Sequence, residues 1–364
     1  MTKTITVLPG DGIGPEVTGS AVRVLGSVLD KSRNKIRFVE KKIGGAAIDA
    51  YGTPLPQDTI DQCKQCDAIL LGAVGGPKWN QQSMKLRPEQ GLLGIRKTMG
   101  LFANLRPVEA FQALIHSSPI KRSFVENVDL VIVRELTGGL YFGRPSERRG
   151  TNKEQVVDTL AYSQFEIERV VEKAFQLTMK RRKKLTSIDK ANVLESSRMW
   201  REVVNETAKC YPEVEVHHQL VDSMAMQLIT NPAQFDVLVT ENMFGDILSD
   251  EASVITGSLG MMPSASLRSD KVGLYEPAHG SAPDIAGQGK ANPLATILSA
   301  ALLLRYSLDM EQEAARIEEA VRDVLNQGYR TCDLQTVQQD EKVVNTKEMT
   351  DQVINAIDKV TIAQ

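Results

Sequence analysis

The N-terminal part of the chain alternates short apolar segments with segments of helical periodicity. Thr4–Leu8 has the pattern of a buried strand, and Glu16–Leu29 follows with the spacing of an amphipathic helix. Further strands are predicted at Ile36–Lys42 and Asp67–Leu71, with a helix near Thr59–Gln65 between them. Strands separated by helices favour parallel pairing, so the chain is predicted to be an α/β protein.

The middle of the chain departs from this alternation, because three strands are predicted in quick succession. They are Val128–Arg134, Leu140–Phe142 and Gln155–Tyr162, with Gly138-Gly139 as a turn. Farther along, helices are predicted at Gln164–Met179, Arg198–Ala208 and Met224–Ile229, and strands at Leu185–Ile188, Val214–Gln219 and Asp236–Thr240. A glycine- and proline-rich stretch, Gly257–Pro293, then precedes two long helices predicted to be amphipathic, Leu294–Ser307 and Glu311–Gln327.

Length and composition narrow the class of protein. A chain of 364 residues exceeds what one hydrophobic core usually serves, so two domains are expected. Hydrophobic residues make up 42% and charged residues 24%, which is typical of a globular protein. The net charge of -3 gives no general attraction to nucleic acid or anionic membranes. The chain has no signal-peptide pattern, no membrane-length apolar run and only four cysteines, so we expect a cytoplasmic protein.

The segment Asn242–Asp250 places two carboxylates one helical turn apart. Asp246 and Asp250 stand at i and i+4, so they project from the same face of a helix and repel each other. A hard divalent cation such as Mg²⁺ or Mn²⁺ takes oxygen ligands of this kind. A solvated acidic helix face is the alternative that the pair alone leaves open.

Three other patterns are better explained by structure than by chemistry. Gly10, Gly12 and Gly14 have the spacing G-x-G-x-G, one position short of a dinucleotide fingerprint, and favour a structural turn. Cys63 and Cys66 have C-x-x-C spacing without a second pair to complete a zinc site. The basic run Lys180–Lys184 follows a predicted helix and is interpreted as its solvated C-terminus.

Three arginines lie beside turns or strand ends. They are Arg96, Arg106 and Arg134, and the last of them ends a strand of apolar residues. A cation at that position needs a nearby anion, or burial becomes costly. The arginine fork suits bidentate capture of carboxylates. Each one alone is more often a surface or paired arginine, but convergence of all three would indicate a small substrate with several carboxylates.

Polar residues elsewhere suggest proton transfer and cofactor binding. Lys190 lies just past a strand and is a candidate base, while Tyr141 follows a glycine turn and is a candidate proton donor. Taken alone, each is more often structural, and Asp222 has the alternative role of a helix N-cap. The loop Glu276–Pro293 is rich in small residues that allow close approach to a flat ligand. Its Asp284 would accept ribose hydroxyls and repel a 2′-phosphate, which favours NAD over NADP.

Several of these motifs together carry a resemblance to a known family. They are Asn104-Leu105-Arg106-Pro107, Arg134-Glu135-Leu136-Thr137-Gly138-Gly139, Asp189-Lys190-Ala191-Asn192-Val193, the Asp246/Asp250 segment and the His279–Pro293 loop. In this order and spacing the chain closely resembles the metal-dependent β-decarboxylating dehydrogenases. The resemblance runs nearly end to end, from Leu8 to Thr331.

The resemblance implies a particular architecture. Two domains share a mixed central sheet without the usual dinucleotide fingerprint: residues 1–102 plus 257–364 carry the NAD-binding loop, and residues 103–256 carry the dimer interface and metal aspartates. It also implies a homodimer whose active sites lie in the cleft and are shared between subunits. Lys190 and Asp222 of one subunit would then face the following residues of the other: Arg96, Arg106, Arg134, Tyr141, Asp246 and Asp250.

The resemblance also implies a reaction and its ligands. Mg²⁺ or Mn²⁺ would be held by Asp222, Asp246 and Asp250, with Tyr141, Lys190 and Asp222 as catalytic residues. Lys190, directly or through water, would take the substrate's hydroxyl proton while hydride passes to NAD. Tyr141 would protonate the enol carbon after CO₂ leaves. The residues implied to bind NAD are Glu276, His279, Gly280, Ser281, Ala282, Pro283, Asp284, Ile285 and Asn292.

Within that family the variable group of the substrate is predicted to be apolar. Leu92, Leu93 and Val193 would form a wall for an isopropyl group, and Glu89 would repel a third carboxylate. This implies oxidative decarboxylation of 3-isopropylmalate to 4-methyl-2-oxopentanoate, in leucine biosynthesis. Homoisocitrate, tartrate or isocitrate is the alternative substrate. A Mg²⁺-dependent phosphoryl-transfer enzyme is disfavoured, because the chain has no G-x-x-x-x-G-K-[ST] loop.

Overall fold

A computed structural model describes residues 2–30, 35–336 and 340–359. The chain divides into two compact units: unit 1 comprises Met1–Leu101, Phe111–Pro119 and Thr256–Gln364, and unit 2 comprises Phe102–Ala110 and Ile120–Ile255. The predicted domain limits differ mainly at residues 111–119, which belong to unit 1 rather than to the middle domain. Met1 and residues 31–34, 337–339 and 360–364, which the predicted first domain includes, lie outside the described residues.

The secondary structure alternates through most of the chain. The strands are β1 (Lys3–Gly10), β2 (Ile36–Glu40), β3 (Ala68–Ala73), β4 (Ala103–Glu109), β5 (Asp129–Glu135), β6 (Ser146–Arg149), β7 (Gln155–Asp158), β8 (Lys184–Asp189), β9 (Glu215–Leu220), β10 (Val237–Thr240), β11 (Pro263–Leu267), β12 (Gly273–Pro277), β13 (Tyr329–Arg330) and β14 (Lys342–Val343). The α-helices are α1 (Gly14–Leu29), α2 (Gly45–Tyr51), α3 (Gln57–Gln65), α4 (Glu89–Met99), α5 (Arg122–Val125), α6 (Gln164–Met179), α7 (Glu195–Ala208), α8 (Val221–Thr230), α9 (Asn242–Ser253), α10 (Leu294–Ser307), α11 (Glu311–Asn326) and α12 (Thr346–Ile357).

Five strands of unit 1 lie side by side in the order β2-β1-β3-β12-β11. The pairs β1/β2, β1/β3 and β3/β12 are parallel, and β11/β12 is antiparallel. β3 is buried along its whole length, as expected of a central parallel strand covered on both faces. A mixed sheet covered by helices is the predicted α/β class, which is confirmed.

Five strands of unit 2 lie in the order β4-β5-β10-β8-β9. The pair β4/β5 is antiparallel, whereas β5/β10, β10/β8 and β8/β9 are parallel. The carboxyl ends of β5, β10 and β8 therefore meet at one edge, where Thr240 is in register with both Arg134 and Ile188. Ligand sites in parallel α/β sheets form at this edge.

Some predicted elements differ from the structure. The segment predicted as a strand at Leu140–Phe142 is instead a short 3₁₀ turn, Gly139–Tyr141, which begins at a glycine with φ of +73°. α10 is buried on nearly all sides, so its predicted amphipathic character is wrong. β11, β12 and α12 were not predicted, since proline and glycine bound the first two.

The basic run after α6 forms ion pairs and is not only a solvated helix end. Arg181 donates to Asp236 at 2.7 Å and to Asp129 at 2.7 Å, and Arg182 also pairs with both carboxylates. These ion pairs join the end of α6 to the starts of β5 and β10. Among the described residues, no helix combines the length and the apolar character needed to cross a membrane.

Candidate active site

Helix α9 presents the two aspartates at the edge of the unit 2 strands. Asp246 is about one-third exposed and Asp250 is 63% exposed. Burial raises the pKa of Asp250, and the neighbouring Asp246 charge raises it further. Burial would also raise the pKa of Asp246, but the charge of Arg134 and the Tyr141 hydrogen bond outweigh it, so this pKa is lowered. The pair is thus a partly desolvated, mutually repelling set of oxygen donors.

Arg134 at the end of β5 is held by two partners from α9. Its guanidinium forms an ion pair with Asp246. The Nε and Nη2 groups donate to Asn242 Oδ1 at 3.1 and 2.8 Å. The side chain is almost fully buried, so it has the anionic partner that its position in an apolar strand requires.

Tyr141 completes the contacts of Asp246. Its hydroxyl donates to Asp246 Oδ2 at 2.7 Å, and its ring centroid lies 5.7 Å from the Arg134 guanidinium carbon. Burial raises the pKa of Tyr141 to about 12, and the hydrogen bond to Asp246 adds to this effect. Tyr141 therefore carries its proton at neutral pH and is able to donate it.

Arg106 on β4 lies beside the second aspartate. Its Nη1 is 3.5 Å from Asp250 Oδ1, and its Nε donates to Asn104 Oδ1 at 3.0 Å. The structure thus brings together five of the predicted site residues: Arg106, Arg134, Tyr141, Asp246 and Asp250.

The donor set of α9 suits a hard divalent ion, because it offers carboxylate oxygens whose repulsion a cation would relieve. Within the described part of a single chain, however, no group of three or more histidine, cysteine, aspartate or glutamate side chains could hold a metal. Asp222, the third predicted ligand, does not complete such a group in one chain.

Lys190 and Asp222 form a separate pair in unit 2. The Lys190 Nζ donates to Asp222 Oδ1 at 2.6 Å, and this hydrogen bond lowers the pKa of Asp222. The alternative that Asp222 caps α8 is wrong, since Leu220 occupies the N-cap position and Asp222 lies within the first turn. Val193, in the turn after β8, is 63% exposed.

In unit 1, the predicted residues of α4 lie at different depths. Arg96 donates from Nη2 to Glu276 Oε1 at 2.7 Å, and both side chains are mostly buried. Leu92 packs against the hydrophobic core, Leu93 is half-buried and Glu89 is exposed. Arg96 therefore joins α4 to the start of the predicted cofactor loop.

The predicted NAD-binding loop is anchored on the glycine-rich turn after β1. The Ile13 N–H donates to the Ser281 carbonyl at 2.8 Å, and Ile13 packs with Ala282 and Ile285. Gly12 has φ of +57°, and a Cβ there would lie 1.9 Å from the Ser281 carbonyl oxygen. The glycines are thus a structural turn, as predicted, and they also leave room for the loop backbone.

The rest of the loop lies close to other parts of unit 1. Asn292 donates from Nδ2 to Asp333 at 3.1 Å and accepts the Leu294 N–H at 3.0 Å, which fixes the start of α10. Burial lowers the pKa of His279, which favours its neutral form. Asp284, the residue predicted to receive ribose hydroxyls, is exposed.

Two carboxylates that were not predicted as site residues organise this region. Asp11 is buried and accepts the N–H groups of Gly45, Ala46 and Gly75 at 2.7 to 2.9 Å. Asp333 accepts hydrogen bonds from Ser258, Thr331 and Asn292. Asp11 stands inside the G-x-G-x-G turn, which was the available signal, whereas nothing local marks Asp333.

The isocitrate/isopropylmalate dehydrogenase family matches residues 4–353. A 3-isopropylmalate dehydrogenase of Heyndrickxia coagulans is 69% identical over 98% of this chain and 97% of its own length. That of Bacillus subtilis is 58% identical over 98% of both chains. The crystal structure of isocitrate dehydrogenase from Methylococcus capsulatus superposes with a TM-score of 0.85 at 33% identity, covering 98% of this chain and 99% of that one.

These similarities and the fold define an oxidoreductase of the β-decarboxylating type. The chain belongs to the isocitrate/isopropylmalate dehydrogenase family. The prediction of an enzyme of this family, made from the motifs, is confirmed.

Proposed function

We propose that this chain catalyses the NAD-dependent oxidative decarboxylation of 3-isopropylmalate to 4-methyl-2-oxopentanoate in leucine biosynthesis. The observation that carries the proposal is the contact of Asp246 with both Arg134 and Tyr141, because it groups a metal ligand, a carboxylate-binding cation and a proton donor. The names of the relatives support the choice of substrate. The chain's four cysteines are free thiols, which supports a cytoplasmic location.

The metal site is proposed to comprise Asp246 and Asp250 with Asp222 of a second subunit, and to hold Mg²⁺ or Mn²⁺. When bound, the ion supplies Lewis-acid stabilisation of negative charge that develops on substrate oxygens. Arg134 holds Asp246 and lowers its pKa, and Arg106 lies 3.5 Å from Asp250. With Arg96 they bind the carboxylates of the substrate through their planar forks.

The proton transfers are assigned to Lys190 and Tyr141. Lys190 takes the proton of the C2 hydroxyl, directly or through water, as the C2 hydrogen leaves with its electron pair. When bound, NAD would supply the acceptor for that hydride. The bond to the β-carboxylate then breaks and CO₂ leaves, and the electron pair of that bond forms an enolate between C2 and the carbon that carried the β-carboxylate. Tyr141, whose pKa is raised to about 12, donates its proton to this carbon.

Recognition of NAD is assigned to the loop of unit 1 and the residues around it. Small residues in Gly280–Pro283 let the backbone approach the cofactor, and Asp284 receives the ribose hydroxyls. The remaining proposed contacts are Glu276, His279, Ile285 and Asn292. The exposed carboxylate of Asp284 is the reason for preferring NAD over NADP.

Substrate choice is assigned to Leu92, Leu93 and Val193 as an apolar wall, with Glu89 against a third carboxylate. An apolar pocket separates related alkyl groups by only about 1–3 kcal/mol per methylene, so shorter 3-alkylmalates are expected to react as well. The alternative substrates, isocitrate, homoisocitrate and tartrate, bring a polar or charged group to that wall.

A homodimer with shared active sites is part of the proposal. Helices α8 and α9 expose large apolar side chains that a subunit interface would bury: Met226, Ile229 and Ile247. Lys190 and Asp222 form a hydrogen bond with each other within one chain. We propose that in the dimer both side chains contribute to the active site of the second subunit.

The test is NADH formation by the purified enzyme with each of the four acids, in the presence and absence of Mg²⁺ or Mn²⁺. Metal-dependent turnover is expected to be fastest with 3-isopropylmalate. Faster turnover of isocitrate, homoisocitrate or tartrate would show that 3-isopropylmalate is not the preferred substrate. Turnover without a metal would refute the role assigned to the aspartates.

A further inference from the structure

A small, partly open cavity lies in unit 2 between the carboxyl ends of β8 and β10. It is lined by Ile188 and Asp189 from β8, by Tyr162, by Ser197 and Trp200 from α7, and by Glu241. The cavity volume is about 10 Å³, which admits one water molecule. Its lining includes none of the five clustered residues described above.

Three carboxylates stand at neighbouring strand ends here, and only one of them has an oxygen without a partner. Glu135 follows β5's Arg134, Glu241 follows β10, and Asp189 ends β8. Glu135 accepts two N–H groups and a hydroxyl from Thr137 and Gly138. Asp189 accepts both arms of Arg201 at 2.9 Å. Among the described residues, Glu241 Oε2 has no hydrogen-bond partner.

A donor without a partner lies against the same cavity. Trp200 is 2% exposed and Glu241 is 6% exposed. Within the described part of the chain, the Trp200 Nε1–H also has no acceptor. A buried donor or acceptor left without a partner is strongly disfavoured, and one water with two such partners satisfies both.

The other oxygen of Glu241 acts on the helix that carries the metal aspartates. Glu241 Oε1 accepts the Phe244 N–H at 3.1 Å and is the N-cap of α9. An ionised carboxylate at this position stabilises a helix through its dipole and its first N–H groups. Four residues beyond the N-terminal Asn242 of α9 stands Asp246.

The surroundings of Glu241 bring its pKa close to neutral pH. Burial raises the pKa of Glu241 to about 7, and the charge of Glu135 on β5 adds to the rise. The Phe244 N–H, Tyr162 and Arg134 oppose it. The remaining acid at the cavity, Asp189, is neutralised by Arg201.

We propose that this cavity binds one water molecule, which accepts from Trp200 Nε1–H and donates to Glu241 Oε2, and that Glu241 is a positioning residue whose ionisation orders the metal-binding helix. Ionised Glu241 caps α9 more strongly than the protonated acid does. The alignment of Asp246 and Asp250 consequently improves as Glu241 loses its proton. The effect on the metal rests on the proposed function, whereas the water site does not.

The experiment measures Mn²⁺ affinity by calorimetry from pH 6 to 8.5, with saturating 3-isopropylmalate, for the full-length enzyme and two variants. Glu241→Gln keeps the cap acceptor but cannot ionise. The matched control, Glu202→Gln, removes an exposed carboxylate from the helix that bears Trp200. The wild type and control should gain about two- to fivefold in affinity between pH 6 and 8, the range for a charge at a helix N-terminus. Glu241→Gln should lack this step.

If Mn²⁺ affinity rises between pH 6 and 8 in Glu241→Gln as it does in the wild type, the positioning role of Glu241 is refuted. No Mn²⁺ binding by any form would instead overturn the proposed function. The water is tested separately by a crystal structure of the wild-type enzyme and of Trp200→Phe, which keeps the ring but loses the donor. Density for a water within hydrogen-bond distance of Glu241 Oε2 is expected in the wild type and not in the variant. Absence of a water from the wild-type cavity would refute the water site. If Glu241→Gln fails to fold, the pH dependence of Mn²⁺ affinity is measured in Trp200→Phe instead. A pH dependence identical to that of the wild type would then refute the link between the water and Glu241.

Discussion

The raised pKa of the buried Glu241 side chain predicts how the free energy of unfolding depends on pH. Its pKa is 4.5 as a free side chain and about 7 in the folded protein, with burial as the main cause. At about 1.4 kcal/mol per pH unit, this difference corresponds to about 3 kcal/mol. Because the folded pKa is raised, the folded state binds more protons than the unfolded state between these two values. Stability is therefore lost as the pH rises from about 4.5 to about 7, and the loss is complete above that range.

Glu241→Gln removes this titration while keeping an acceptor for the Phe244 N–H. The free energy of unfolding of the variant, measured relative to the wild type, should rise by up to about 3 kcal/mol per chain between pH 5 and pH 8. The assay is equilibrium urea unfolding without metal, followed by circular dichroism at one protein concentration, since association also affects stability. Glu202→Gln serves as control and should track the wild type. Parallel curves for Glu241→Gln and the wild type would refute the assignment of a raised pKa to this carboxyl.

Three further predictions concern the proposed site. Tyr141→Phe should lower kcat by about 10²- to 10⁴-fold with little change in the KM for 3-isopropylmalate, because it removes a proton donor; steady-state kinetics with an unchanged kcat would exclude that role. Lys190→Ala and Asp246→Asn should each be nearly inactive, yet mixing them under subunit exchange should restore activity, because a hybrid dimer contains one intact shared site; no recovery would mean that each site is built from one chain. Gly12→Ala should weaken NAD binding in a fluorescence titration, because its Cβ would meet the Ser281 carbonyl at 1.9 Å, while an unchanged dissociation constant would show that the turn does not support the loop.

The elements with strong periodicity could be predicted from the sequence. α6 and α10 have the predicted bounds, and α1 begins two residues before its predicted start, since apolar spacing and Pro293 mark them. β11 could not be predicted, because its residues Pro263–Leu267 are small and proline-led and the strand is specified by its neighbours in the sheet. The same holds for the turn at Gly139–Tyr141, where a positive φ overrides an apolar pattern.

The candidate site shows a similar division. The i, i+4 spacing of Asp246 and Asp250 and the burial of a strand-end cation at Arg134 were readable locally, and the structure brings these residues together. The burial of Glu241 could not be predicted in this way, because a glutamate that precedes a helix in the sequence does not show how deeply the end of the preceding strand is buried. Its raised pKa arises from the register of β5, β10 and β8, which no local pattern encodes.

The contacts of Asp246 also bear on how the proposed site avoids collapse before a metal arrives. Arg134 and Tyr141 occupy its two oxygens, so the carboxylate is held on the correct face of α9 without a cation. Asp250 has only a distant contact with Arg106 at 3.5 Å and remains largely exposed. An incoming ion would therefore meet one carboxylate with two close partners and one that is largely exposed. Under the proposed function the arginines would serve two roles in turn, first as partners of the aspartates and then as partners of the substrate's carboxylates, because a bound ion would compensate the aspartate charge in their place.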